Sequence, residues 1–160
     1  MSPEKQKLIE LAKTGKYLFH GSGDDLEILE PRQAYNIING EKIPDGEPAV
    51  FASRFPDYAI LMAIINHKNC PKKNYGIIAK VGSEENEGRY KLKFGANRKA
   101  LEQLNENSSG LVYVFDKSLF KQRYAGEYIS YNLINPTEKI QVKKRDLPEN
   151  IEIFEEKSVV

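Results

Sequence analysis

Two polar side chains stand where apolar segments meet turns, and these are the residues equipped for chemistry. His20 follows Tyr17-Leu18-Phe19 and directly precedes Gly21-Ser22-Gly23. A glycine at that point lets a ligand approach the backbone, leaving an N–H and a C=O to read an amide or a base edge. Taken alone, the pattern is more simply a satisfied histidine leading into a turn. Glu127 opens the apolar run Tyr128-Ile129 right after Ala125-Gly126, where a carboxylate is costly if buried without a partner. Its plainer reading is a solvated strand end. Other chemistries fall away quickly. His20 and His67 are the only histidines and Cys70 the only cysteine, so no spacing matches a zinc site. Cys70 lies in a polar stretch before Pro71 with no base to activate it. Gly21-Ser22-Gly23 is too short for a Walker or dinucleotide phosphate loop.

The chain that must position these groups has 160 residues, 40% hydrophobic and 29% charged. That length and balance predict one globular domain, 1–160, with a core that needs neither metal nor disulfide. Lys and Arg number 24 against 23 Asp and Glu, a net charge of +1, which argues against a protein that wraps duplex DNA. A single cysteine excludes an internal disulfide and points to a reducing, cytoplasmic setting. No apolar run approaches the ~20 residues of a membrane span, and Met1 to Lys5 reads as a helix opening and not as a signal peptide.

Ser2-Pro3 as a cap pair and Leu8, Leu11 and Ala12 on one face predict a helix over 3–14, closed by Gly15. Tyr17 to His20 reads as a strand, 26–29 as short and extended, and the Asn-, Gly- and Pro-rich 35–48 as a loop. Residues 49–52 read as a buried strand. Pro56 with Ile60, Leu61, Ile64 and Ile65 predicts a helix over 56–66 whose apolar face packs on the strand Leu111–Phe115. Strands follow at 74–81 and 88–94, a helix at 97–105, a strand at 110–115 and a helical turn at 117–122. Further strands fall at 127–131 and 139–142. Residues 149–160 form an acidic tail, in which Ile151, Ile153 and Phe154 fit either a last strand or a docking segment. Lys143-Lys144-Arg145 reads as a solvated basic edge. Helices early, strands late and no βαβ rhythm favour α+β.

In combination, Phe19-His20-Gly21-Ser22, Val50-Phe51-Ala52-Ser53 and Gly126-Glu127-Tyr128-Ile129-Ser130-Tyr131 resemble, in this order, the three signatures of ADP-ribosyltransferases of the poly(ADP-ribose) polymerase type. The resemblance spans about residues 17–142. It implies two small, mostly antiparallel sheets split around a cleft, with helices 3–14 and 56–66 packed outside. It implies that His20 bonds a ribose hydroxyl of NAD and that the Gly21 backbone pairs with the nicotinamide amide. Glu127 would hold the nicotinamide-ribose hydroxyl and steady the oxocarbenium-like charge as nicotinamide leaves. Ser22, Arg32, Ser53 and Tyr58 complete the implied NAD-binding set. Arg32 would meet the pyrophosphate or adenine, although such an arginine is more often a surface ion-pair partner; Tyr58 would meet the nicotinamide ring and is equally familiar as a helix-face aromatic.

One position departs from the pattern. The family's tyrosine in its second signature aligns with Val50, which can neither stack nor donate a hydrogen bond, and this weighs against efficient NAD turnover. Two other readings therefore stand beside the transferase. One is an RNA 2′-phosphotransferase-like enzyme of the same fold, although Glu127 would repel the RNA phosphate. The other is a catalytically silent module binding ADP-ribose, a nucleotide or a protein in the same cleft. The acceptor stays open between protein and nucleic acid, and no membrane partner is implied. In each case His20 and Glu127 are expected to face one cleft from neighbouring strands, with Tyr58 at its rim.

Overall fold

Ser2 caps the first helix, α1 (Pro3–Lys13), by accepting the Lys5 N–H on its hydroxyl at 3.0 Å, and Gly15 leaves it at φ 72°. The computed structural model describes residues 1–72, 76–85, 89–124 and 126–155, with 78–85 and 89–92 described through their backbone. Beyond α1 the order is β1 (Tyr17–Ser22), β2 (Tyr35–Ile38), β3 (Glu41–Pro44), β4 (Val50–Ser53) and α2 (Pro56–Ile64). Then come β5 (Ile77–Glu85), β6 (Arg89–Asn97), α3 (Arg98–Gln103), β7 (Ser109–Asp116), β8 (Lys121–Tyr124), β9 (Glu127–Ser130), β10 (Glu138–Lys143) and β11 (Ile151–Phe154). The fold is α+β with mostly antiparallel sheets, as its element order predicts.

A six-stranded sheet runs β10-β7-β1-β4-β9-β8, and a three-stranded sheet runs β11-β6-β5. The interior strand β7 is apolar on both faces. Val112 and Val114 enter one core with Phe19, Leu8 and α2, while Tyr113 and Phe115 enter a second with Leu18, Val50, Ala52 and Tyr128. Two-sided burial of this kind yields a continuous β-branched and aromatic run in place of an alternation.

α2 differs from its expected place. It does not lie outside the sheets but inside, with Ile60, Leu61, Ala63 and Ile64 fully buried, and its main contact is with β1 before β7. Glycines explain the close seat. A Cβ on Gly21 would stand 1.8 Å from the Ala59 carbonyl oxygen, and one on Gly110 1.9 Å from that of Ala63. The backbone of one face of α2 therefore rests directly on the sheet. Gly21, read from sequence as a point of ligand approach, is also a seat for this helix. α2 stops at Ile64, short of 66, where Asn66 accepts the Lys68 and Asn69 N–H groups on its side chain.

Other differences are local. The stretch 35–48 is not a loop but contains the hairpin β2–β3, turned by Asn39 (φ 52°) and Gly40 (φ 78°), an Asn-Gly pair that suits a tight two-residue turn. Its strands are exposed throughout. The helical turn shrinks to a 3-10 turn at 117–119, and β8 follows it. β1 continues through Ser22, and the acidic tail becomes β11, paired in parallel with β6. Of the strands expected at 74–81 and 88–94, residues 74, 75 and 88 lie outside the described residues, as do 156–160 of the tail. Among the described residues no helix is long and apolar enough to cross a membrane.

Candidate functional site

The six-stranded sheet has a seam. β1 and β4 share one register pair, Phe19 with Ser53, whereas β1 follows β7 from Tyr17 to Ser22 and β4 follows β9 from Val50 to Ser53. Beyond that pair the two halves part, and a cavity of about 440 Å³ lies beside the parting. Its walls include Phe19, His20 and Gly21 from β1, Phe51 to Ser53 from β4, Phe55, Tyr58 and Met62 from the α2 segment, and Gly126 and Glu127 at the start of β9.

His20 and Glu127 thus meet in one cavity, although not from neighbouring strands, since β4 lies between theirs. Where β1 and β4 part, the His20 side chain spans the gap, with Nδ1 2.7 Å from the Phe51 carbonyl oxygen. A carbonyl only accepts, so Nδ1 carries the proton. Burial holds the imidazole pKa below its ordinary value against the opposing pull of that bond, and the charge of Arg32 adds to the lowering. The neutral ring then keeps its Nε2 lone pair to accept a hydroxyl proton in a hydrogen bond. Beside it, Tyr113 holds the following turn, donating to the Asp24 carbonyl at 2.5 Å and accepting from the Leu26 N–H at 2.7 Å.

Glu127 is half-buried, and burial raises its pKa; Arg123 opposes the rise and Asp45 reinforces it. Arg123 is ion-paired to Asp45 at the end of β3. Tyr58 is among the residues that line the cavity. Burial raises its pKa, helped by the negative charge of Glu127, so the phenol stays a hydrogen-bond donor near a carboxylate. Gly126 (φ 77°) turns the chain into β9, and a Cβ there would stand 2.4 Å from the Phe55 ring. Glycine lets that turn press against the aromatic wall.

The remaining expected residues are placed as follows. Ser53 is buried in the lining and accepts the Phe55 N–H at 3.0 Å, setting the path into α2. Ser22 is outside the lining, accepting the Asp24 N–H on its hydroxyl. Arg32 is also outside; its backbone bridges Ala49, and its charge acts on both His20 and Asp24. Asp45, Phe55, Met62 and Arg123 were not foreseen. The Asp45-Gly46 pair marks a turn but does not say that the turn closes on the cavity.

Val50 is 3% exposed and packs in the second core with Leu18, Tyr113 and Tyr128, away from the lining. Val50→Tyr is therefore expected to overpack this core and cost about 1–3 kcal/mol without restoring a ring to the cavity. Denaturant unfolding of the variant reads that cost. A neutral substitution would show that the site has room for a ring.

Comparison with protein-family models, with curated proteins and with solved structures gave no match. The site must be judged on its own geometry.

Proposed function

We propose that this chain is an ADP-ribosyltransferase-like protein that binds NAD in the cavity at the seam. The observation that carries the reading is the convergence of His20, Ser53, Tyr58 and Glu127, from separate sequence segments, on that one cavity. Its volume of about 440 Å³ lies within the roughly 300–1,000 Å³ of small-molecule sites. An apolar, aromatic lining with a few convergent polar groups suits a nicotinamide ring and its ribose. The neutral His20 would accept from a ribose hydroxyl, and the half-buried Glu127 would hold another.

The reaction that fits this donor set breaks the bond between nicotinamide nitrogen and ribose C1′. The bonding pair stays with nicotinamide, and positive charge spreads over C1′ and the ring oxygen. A hydroxyl of water or an acceptor then bonds to C1′ and gives up its proton. Glu127 carries the charge suited to the oxocarbenium stage, in surroundings where burial strengthens electrostatics. Val50, packed away from the lining, favours a second reading: a module that binds NAD or ADP-ribose with little or no turnover.

Thermal unfolding with each ligand separates the readings. A ligand at a hundred times its dissociation constant adds about 2.7 kcal/mol to stability, a rise in Tm of about 5–10 °C for a domain of this size. NAD is expected to give such a rise, with nicotinamide released. A rise with ADP-ribose and no release would establish the silent module. A shift with 2′-phosphorylated RNA alone would mark a phosphotransferase, and no shift with any of them would end the nucleotide reading.

A further inference from the structure

The edge of the sheet beside the cavity carries cations laid on aromatic rings. Lys121 Nζ lies 4.8 Å from the centroid of Tyr131, and the Arg123 guanidinium lies 4.8 Å from that of Tyr124 and 5.8 Å from that of Phe51. Across the Arg123–Asp45 ion pair, the exposed hairpin adds Lys42, 4.3 Å from the centroid of Tyr35. The register puts the β8–β9 part of this set on the cavity side. Lys121 pairs with Ile129, and Ile129 with Phe51, so these side chains share one face with Glu127, two residues along β9. The rings are open, with Tyr35 47%, Tyr124 61% and Tyr131 45% exposed. Among the described residues neither Lys42 nor Lys121 forms an ion pair with a carboxylate.

We infer that this strip, from the hairpin to the β8 edge, binds single-stranded nucleic acid beside the cavity. Lysines alone on an edge strand would serve to discourage sheet-to-sheet pairing. Exposed tyrosines at each cation go further, because an alternation of ring faces and positive charge matches the alternation of bases and phosphates in an unpaired strand. A base takes a ring face, and the lysine that lay on the ring turns to the neighbouring phosphate. An acidic peptide would use the charges but leave the rings idle. Duplex DNA hides its base faces, and the near-neutral chain, at +1, offers it no broad basic field. The inference concerns binding and holds whether or not the cavity takes NAD.

Fluorescence anisotropy with labelled oligouridylate and oligothymidylate of about 12 nucleotides, within the ~4–16 that such surfaces cover, tests it. Binding is expected to weaken with salt with a log–log slope of about −2, as for three phosphates on a single strand. The double variant Lys121→Glu/Tyr131→Ala is expected to bind at least about tenfold more weakly by loss of stacking and charge reversal, with its Tm unchanged. Lys99→Glu, on α3, is expected to bind like wild type. Absence of salt-dependent binding by wild type would overturn the inference. So would equal affinity in the double variant, or tighter binding of a glutamate-rich peptide than of either oligonucleotide.

Discussion

Glu127→Gln is expected to slow nicotinamide release by about 10²–10³-fold while leaving NAD affinity nearly intact. The amide keeps the size of the side chain and one hydrogen-bond acceptor, so the contact to a ribose hydroxyl in the bound substrate survives. What disappears is the negative charge, and that charge matters most when positive charge develops on the ribose. Removing a group aimed at a transition state commonly costs about 2.7–4 kcal/mol in the barrier. Half-burial at the cavity wall makes the carboxylate effective there, and Arg123, held by Asp45, does not neutralise it by direct pairing among the described contacts. His20→Ala, in contrast, is expected to weaken binding as well as rate, because ribose contacts exist before the bond breaks. Nicotinamide release at saturating NAD, with affinity from Tm shifts, checks both. Equal rates for wild type and Glu127→Gln would remove Glu127 from the chemistry.

Leu61→Ala is expected to cost about 2–5 kcal/mol of folding stability, the range for emptying a fully buried leucine site. Leu61 is 0% exposed in a core that also holds Phe19, Ile64, Val112 and Val114. The space it leaves cannot close easily, because α2 already rests on the sheet through Ala59 and Ala63 against Gly21 and Gly110. Against a total of about 5–15 kcal/mol for a typical domain, such a loss lowers Tm by on the order of 10 °C. Chemical denaturation measures it directly. A cost within about 0.5 kcal/mol, the range of ordinary surface changes, would mean that Leu61 is not where the fold puts it.

The helix over 56–64 and the strands around 112 and 128 were legible because their residues carry the signals locally. Pro56 suits a first helical turn, and the runs at β7 and β9 are β-branched and aromatic. The place of α2 was harder to read. Its sequence is apolar on every side from Ala59 to Ile65, the mark of an interior helix, yet Ile60, Leu61, Ile64 and Ile65 alone suggest one apolar face on the surface of a sheet. The hairpin at 35–44 was hidden because none of its residues is buried, so the Asn39-Gly40 turn specifies it without a hydrophobic alternation. β8 was missed for a related reason: Lys121-Gln122-Arg123-Tyr124 is a polar edge whose extended form depends on pairing with β9. His20 and Glu127 were visible as a pair through the order of their motifs. Asp45 and Arg123 were not, because a hairpin end and an edge strand bring them together across 78 positions of chain.

The seam between β1 and β4 gives His20 a second duty, as a fastener. Below the Phe19–Ser53 pair, the bond from its Nδ1 to the Phe51 carbonyl stitches the two half-sheets across the gap. The cavity wall is thus held shut by a ring that also lines the cavity. Losing the ring unpicks the wall and would remove the proposed ligand contact together, so His20→Ala mixes a mechanical defect with a chemical one. Asparagine separates them. Its amide nitrogen stands near where Nδ1 stood and can still donate to Phe51, while nothing remains in the position of Nε2. A pocket built this way cannot widen at His20 without also loosening the joint between its own walls.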